Sequence, residues 1–280
     1  MNRKIFFVVA VIFAATIFFS AAASAKGVWR LDASDSYELP YSFRIIPNSN
    51  LSASGQPSLN NLRTIFDKLK KSAEYDATIY LVDLRQEPHG FVDAYPVSWY
   101  VKKNLANYWK GNSGIERDEL ARLKKTVGVE TTFVPLGNYD TAHFSPVTII
   151  PSSAQSERAA ASEVGFSYIR FGVTDMMTPA PEIVDEFLNF VGTLDENDWL
   201  HFHCQAGHGR TTTFVVMYQL LQNPDASLEE ICALNSKLGG SNLLDGGDRE
   251  KFIRLFQRYA KEIIAQGGET SWREFFDKET

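Results

Sequence analysis

Cysteine is almost missing from this chain. Only Cys204 and Cys232 carry thiols among 280 residues, so no disulfide framework holds the fold and an apolar core must do so. Positive charge is in deficit as well. With 28 Lys and Arg against 34 Asp and Glu, the formal net charge is −6, which argues against nucleic acid as a partner. Long apolar runs are absent except for Ile5 to Phe19, which is short for a bilayer span. No internal repeat or low-complexity tract occurs, and 44% hydrophobic and 22% charged residues are ordinary globular values.

That apolar run follows Asn2, Arg3 and Lys4 and precedes Ala23-Ser24-Ala25, a small-x-small pattern. We expect residues 1–25 to be a cleaved secretory signal, leaving a mature chain of 26–280 with no stable membrane span. Without Arg3 and Lys4 the basic residues number 26 against 34 acidic, a net charge of −8, so an anionic ligand must be held by a local cluster. An exported protein with so few thiols is placed to use one for chemistry.

Hydrophobic periodicity marks alternating helices and strands. Ser58 caps a helix to about Lys71 with Leu59, Leu62, Ile65, Phe66 and Leu69 on one face, and Thr78 to Leu84 reads as a buried strand. Residues 91–128 are less regular, with a helix at about Glu116 to Lys125 and then a strand at Val129 to Pro135. A helix at Gln155 to Glu163 and a strand at Phe166 to Val173 follow. Beyond the loop TDMMTPAP come a helix carrying Ile183, Phe187, Phe190, Val191 and Leu194, a strand at Trp199 to His203 and a helix at Thr211 to Gln222. Ser227 and Glu230 open another helix, and Asp248 to Ala265 gives a long final amphipathic one. This order predicts an α/β sheet flanked by helices, with the turn after Trp199–His203 at the carboxyl end of a central strand.

The stretch 199-WLHFHCQAGHGRTTTFVVM-217 places Cys204 six positions before Arg210, with Gly207 and Gly209 between them. Glycines let a loop wrap an anion with its backbone N–H groups, and the helix that follows adds its N-terminal dipole. Arginine grips two oxygens of a phosphate through its planar fork. A helix N-terminus and an arginine also favour a thiolate, so Cys204 is built as a nucleophile for an anionic centre. Metal is the rival reading, since His201 and His203 share a strand face and Cys204 and His208 follow. The glycine-rich cradle and the charge of Arg210 weigh against it; neither metal nor cofactor is expected.

His203-Cys204-x-x-Gly207-x-Gly209-Arg210-Thr211 resembles the signature loop of the cysteine-dependent protein tyrosine phosphatase superfamily. The resemblance implies that Cys204 attacks phosphorus, Arg210 holds the equatorial oxygens, Thr211 supports the leaving thiolate, and His203 belongs to the catalytic set. Gln205, Ala206, Gly207, His208 and Gly209 would then bind the phosphate. An alkoxide leaving group needs a general acid, and Asp175, in 172-GVTDMMTPAP-181, occupies the place of the superfamily's mobile acid loop.

Segments 80-YLVDLRQEPHGFVDAYPVSWY-100, 134-VPLG-137 and 174-TDMMTPAPEIVDEF-187 narrow the similarity to bacterial phosphatase-like phytases, which dephosphorylate myo-inositol hexakisphosphate. The fold so implied is α/β, a protein tyrosine phosphatase-like core with a mostly parallel sheet flanked by helices plus a small β-rich subdomain. The core is expected at about 51–90 and 150–280, and the subdomain at about 26–50 and part of 90–150. Asp83 reads as structural, while Arg85, Glu87 and His89 are candidates to line the site. Of Arg249, Lys251 and Arg254, Lys251 is the substrate-binding candidate near the last helix. Where the family tends to carry basic residues after the VPLG-like segment, this chain has 137-GNYDTAH-143 with Asp140. The expectation is a periplasmic or secreted bacterial phosphomonoesterase for inositol phosphates, the alternative being a phosphoinositide or protein tyrosine phosphatase.

Overall fold

Ile79 and Leu81 are buried on one side of the TIYLVDL run, and Val82 and Leu84 are buried against a different set of residues. A strand with apolar contacts on both faces needs helices on both sides. The computed structural model describes residues 27–108 and 112–280, and the expected leader lies outside them. In the central sheet β10 (Ser167–Val173), β4 (Ile79–Arg85), β11 (Trp199–His203) and β3 (Leu51–Ser54) run parallel, and β2 (Arg44–Ile46) pairs antiparallel with β3. On one face α1 (Leu59–Lys70) and α4 (Glu157–Val164) bring Leu62, Ile65, Leu69, Ala160 and Ala161 against Ile79 and Leu81. Over the other face α5 (Pro181–Val191), α6 (Gly209–Gln222), α7 (Leu228–Lys237) and α8 (Asp248–Glu262) cover Val82, Leu84, Leu200 and Phe202. The fold is α/β, and no helix among the described residues is long and apolar enough to cross a membrane.

A second, antiparallel sheet contains β1 (Val28–Leu31), β6 (Tyr95–Tyr100), β5 (His89–Val92) and β9 (Ala154–Gln155). Beside it lie α2 (Asn112–Lys124), the hairpin of β7 (Thr131–Phe133) and β8 (Val147–Ile149), and the short α3 (Asn138–His143). Leu31, Val92, Val97, Leu123 and Phe133 form its own small core. The stretch 26–50 is therefore divided: Val28–Leu31 enters the small sheet, and Arg44–Ile46 extends the central one. The helix expected from Gln155 starts at Glu157, because the Ser156 side chain accepts from the Ala159 N–H and caps it there.

The helix from Asp248 ends at Glu262 and is not the last. After it α9 (Trp272–Glu279) opens on a capping box of Ser271 and Glu274. Trp272 has no exposed surface and packs its ring 5.6, 5.5 and 5.4 Å from those of Phe252, Phe256 and Tyr259.

The two sheets are joined by charge as well as by apolar contact. Asp83 and Arg85 leave the carboxyl end of β4 on the face that points to the small sheet. There Arg170 of β10 bridges Asp83 at 3.1 Å and Glu119 of α2 at 2.9 Å, and the Tyr168 hydroxyl donates to Asp83 at 2.7 Å. His89 of β5 lies 2.9 Å from Glu157 and 3.3 Å from Asp83. All six of these groups lie inside the protein, where a lone charge would cost several kcal/mol; each has opposite charge or a donor against it. Asp83, His89 and Glu157 place three ligand atoms within 4.8 Å of one another, a spacing a metal ion could use. Arg170 and the His89 ring already neutralise these carboxylates, so the donor set is that of an ion-pair network and not of a cation site. Burial works against a charged His89, yet Asp83 and Glu119 outweigh it and push its pKa up to about 10.

Trp272→Ala removes the largest side chain between α8 and α9 and is expected to cost about 3–5 kcal/mol, lowering Tm by roughly 10 °C. A calorimetric shift of under about 2 °C would show that α9 contributes little. Charged His89 adds stability that is complete below the ordinary histidine value near 6.5 and is lost as pH rises through about 10. Urea midpoints should therefore fall over that window in the native protein, and His89→Gln should flatten the slope; an unchanged slope contradicts the charged ring.

Candidate active site

Strand β11 is paired on both sides, so its carboxyl end delivers Cys204 to the middle of the sheet edge, where α6 begins five residues later. Gly207 has φ +73°, and a Cβ there would lie 2.5 Å from the backbone N of Gly55. Only glycine allows this turn and this approach to the end of β3. The loop's carbonyls face away from its centre: Gln205 O accepts from Gln56 N at 3.0 Å, and Gly207 O from Arg44 Nη1 at 3.0 Å. The amides of Gln205, Ala206, Gly207 and His208 have no acceptor among the described residues. Unpaired N–H groups ahead of a helix N-terminus form an anion site.

Arg210 is fixed before any anion arrives. Its Nη1 and Nη2 donate to the two oxygens of Glu87 at 2.7 and 3.0 Å, and Nη1 also donates to Val173 O at 3.1 Å. Glu87 in turn accepts from Arg85 Nε at 2.9 Å, and Arg85 reaches Asp32 at 2.9 Å and Gln56 at 2.6 Å. Burial opposes the Glu87 charge, but Arg210 and Arg85 hold its carboxyl well below the usual carboxylate range. Burial likewise opposes the charge on Arg210, which Glu87, Asp175 and Cys204 raise above its ordinary value.

Asp175 stands across from the loop. Its Oδ1 lies 3.2 Å from Arg210 Nη2 and accepts from Met176 N at 3.0 Å. Thr211 Oγ1 is buried without a hydrogen-bond partner, one residue after Arg210. Beneath the loop Arg44 reaches both Gly207 O and Thr212 Oγ1; burial pulls its pKa down to about 10, with the field of Cys204 opposing. Arg249 of α8 lies so close to Gly209 that a Cβ there would meet its guanidinium at 2.8 Å, and its Nε is buried without a partner.

The structure thus brings Cys204, Gln205, Ala206, Gly207, His208, Gly209, Arg210, Thr211 and Asp175 together, and it corrects several expectations. Arg85, Glu87 and His89 do not line the site. They are at most 1% exposed and belong to the ionic network, where Glu87 positions Arg210. Lys251 points to solvent with a side chain 77% exposed and paired to Asp248, because α8 turns its neighbour Arg249 toward the loop instead. His203 is buried 3.2 Å from Glu157, without access to a ligand. The four groups of the rival metal set are dispersed. His201 uses both ring nitrogens on Ser52 and Ser54, and His208 meets Ser42 and the ring of Tyr41. Burial and Arg44 lower the His208 pKa, so it adds no cation to the loop.

A cavity of about 350 Å³ opens beside Gln205, Ala206 and His208. Asp140 on its wall pairs with Arg30, and Gln205 lies 3.4 Å from the same carboxylate. Burial raises the Asp140 pKa, with Arg30 opposing. A second cleft of about 990 Å³ follows the Asp175 loop past Met176, Met177 and Arg249. Sequence reasoning missed Arg44 and Asn104, which donates to Asp175. One sits in a three-residue strand and the other in an irregular segment, and neither position carries a motif.

Residues 82–222 match the family of PTP-like phytases, whose description reads inositol hexakisphosphate. A PTP-like phytase from Bdellovibrio bacteriovorus is 30% identical, with 90% of this chain and 95% of that one covered and a TM-score of 0.75. The PTP-like myo-inositol phosphatase from Mitsuokella multacida, solved with myo-inositol-(1,3,4,5)-tetrakisphosphate, is 30% identical with a TM-score of 0.80, over 89% of this chain and 49% of that one. The effector protein hopD2 of Pseudomonas syringae pv. tomato is 28% identical over 81% of this chain and 52% of its own length. The chain therefore spans about half the length of the latter two proteins. With the matched segment running from β4 through the loop to the end of α6, and a Bdellovibrio relative covered almost end to end, this chain belongs to the PTP-like phytase family.

Proposed function

We propose that this chain is a metal-independent, cysteine-dependent phosphomonoesterase that acts on inositol phosphates outside the cytoplasm. One observation carries the reading: four loop amides without acceptors lie beside Cys204, with Arg210 already clamped by Glu87 and Asp175 opposite. Phosphate oxygens take the amides and Arg210, and Cys204 Sγ attacks phosphorus in line. As the P–O bond breaks, Asp175 gives its proton to the leaving oxygen. Water then attacks the cysteinyl-phosphate with Asp175 as base, and the unpartnered Thr211 hydroxyl donates to the departing sulfur. Inositol phosphate as substrate is supported by the family and by the tetrakisphosphate bound in the Mitsuokella protein. Export rests on the sequence of residues 1–25.

A second reading has one observation in its favour. Tyr37, Leu39, Pro40, Tyr41 and Phe144 give the cavity an apolar and aromatic wall, and its one arginine, Arg30, is already paired with Asp140. That wall suits a phosphotyrosine better than a ring with many phosphates.

Cys204→Ser should abolish turnover while inorganic phosphate still binds; full activity in that variant would sink the nucleophile. Asp175→Asn should lower kcat by about 10²–10⁴-fold on an inositol phosphate and much less on an aryl phosphate with an acidic leaving group. Activity should survive a strong chelator and be lost on thiol alkylation. Relative kcat/KM on inositol phosphates and a phosphotyrosyl peptide at one ionic strength decides between the two substrate classes.

A further inference from the structure

Two consecutive residues that are not glycine, Lys103 and Asn104, adopt left-handed backbone, with φ of 59° and 60°. Asparagine tolerates that region, but lysine gains nothing from it, so packing or bonding elsewhere must hold the turn. Asn104 is only 5% exposed, and its side chain reaches out of the segment after β6 to the loop after β10, where Nδ2 donates to Asp175 Oδ2 at 3.2 Å. Its Oδ1 is buried with no hydrogen-bond partner. The amide orientation follows from this, since reversing it would set two oxygens face to face and lose the bond. A strained turn and an unsatisfied carbonyl both lower stability, and the structure keeps them where the side chain meets the acid.

The same loop is tied a second time from this side. Asn107 Nδ2 donates to Gln86 O at 3.0 Å, and Thr174 Oγ1, next to Asp175, donates to Gln86 Oε1 at 2.6 Å. Asp175 therefore has unequal oxygens. Oδ2 faces Asn104, while Oδ1 faces Arg210 and the Met176 amide.

We propose that Asn104 is a positioning residue for the general acid, fixing the plane of the Asp175 carboxyl group. This rests on the reading of Asp175 as that acid. The Asn104 amide holds Oδ2 from one side while Arg210 and the Met176 amide hold Oδ1 from the other, so the carboxyl plane is set before a substrate arrives. Without the amide the carboxyl group turns about its own bond, and its proton points at the leaving oxygen for only part of the time.

Two variants test this. Asn104→Gly removes the amide and leaves a residue free to adopt positive φ, and Asn104→Asp keeps the size but exchanges the donor for an acceptor. On an inositol phosphate, both should lose kcat by roughly 10–100-fold with KM within about 2-fold. First-turnover release of p-nitrophenol from p-nitrophenyl phosphate, which needs no protonation, should fall by less than about 3-fold. A merely structural role would slow both substrates alike; equal losses, or full kcat in Asn104→Asp, overturn the proposal. Asp175→Asn in the same assays separates the two ideas. If it shows the leaving-group dependence and the Asn104 variants do not, the positioning role alone falls. If Asp175→Asn slows both substrates equally, the general-acid reading falls and takes the proposal with it.

Discussion

Glu87 sits between two arginines, with Arg210 on both of its oxygens and Arg85 sharing one of them. A guanidinium that must receive a phosphate dianion gains most when its plane is set in advance, because no reorganisation is then left for the moment of reaction. That arrangement has a cost in the interior. Glu87 needs Arg85 as a second neighbour, and Arg85 needs Asp32 and Gln56. The charge chain so started does not end until it has crossed from the central sheet to the small one.

The rest of the buried network obeys the same constraint. Asp83, Glu119 and Glu157 are answered by Arg170 and by a His89 ring that stays charged well above neutrality. Such pairs add little net stability over apolar packing, but losing one partner leaves a bare charge inside the protein. Their effect is to admit a single relative placement of β4, β5, β10, β11, α2 and α4. The loop gains rigidity from backbone contact as well, since Gly207 presses on Gly55 and Arg44 binds its carbonyl from below.

Elements with strong periodicity and clear caps were legible in the sequence. The strand Trp199–His203 has the expected bounds, and the helix from Ser58 starts where its cap predicts. The small sheet was not, because its two-to-six-residue strands are too short to show a period, and β1 and β9 pair with partners far off in the sequence. The α9 helix was overlooked although Ser271 and Glu274 announce it; eight residues give too little periodicity to stand out. At the site, the loop and Asp175 could be named as candidates because their residue types and spacing suit the proposed chemistry. Arg85, Glu87 and His89 look like ligands in one dimension, since a sequence shows that a charge exists and not whether another charge already answers it. The reverse holds for Arg44 and Asn104, which only the tertiary fold brings near Cys204 and Asp175.

The small sheet is easily taken for an appendage, because it has its own core and its strands pair separately from those of the central sheet. The ion pairs deny it that independence. His89 and Glu119 come from this part of the chain and Asp32 from just past β1, while Arg85 and Arg170 come from the central sheet. Cutting between the two would separate Asp32 and Glu119 from Arg85 and Arg170, and His89 from Asp83 and Glu157. The chain therefore has no modular seam: it cannot be shortened to a minimal catalytic core, or have its small sheet exchanged for another, unless the buried charges are redesigned at the same time.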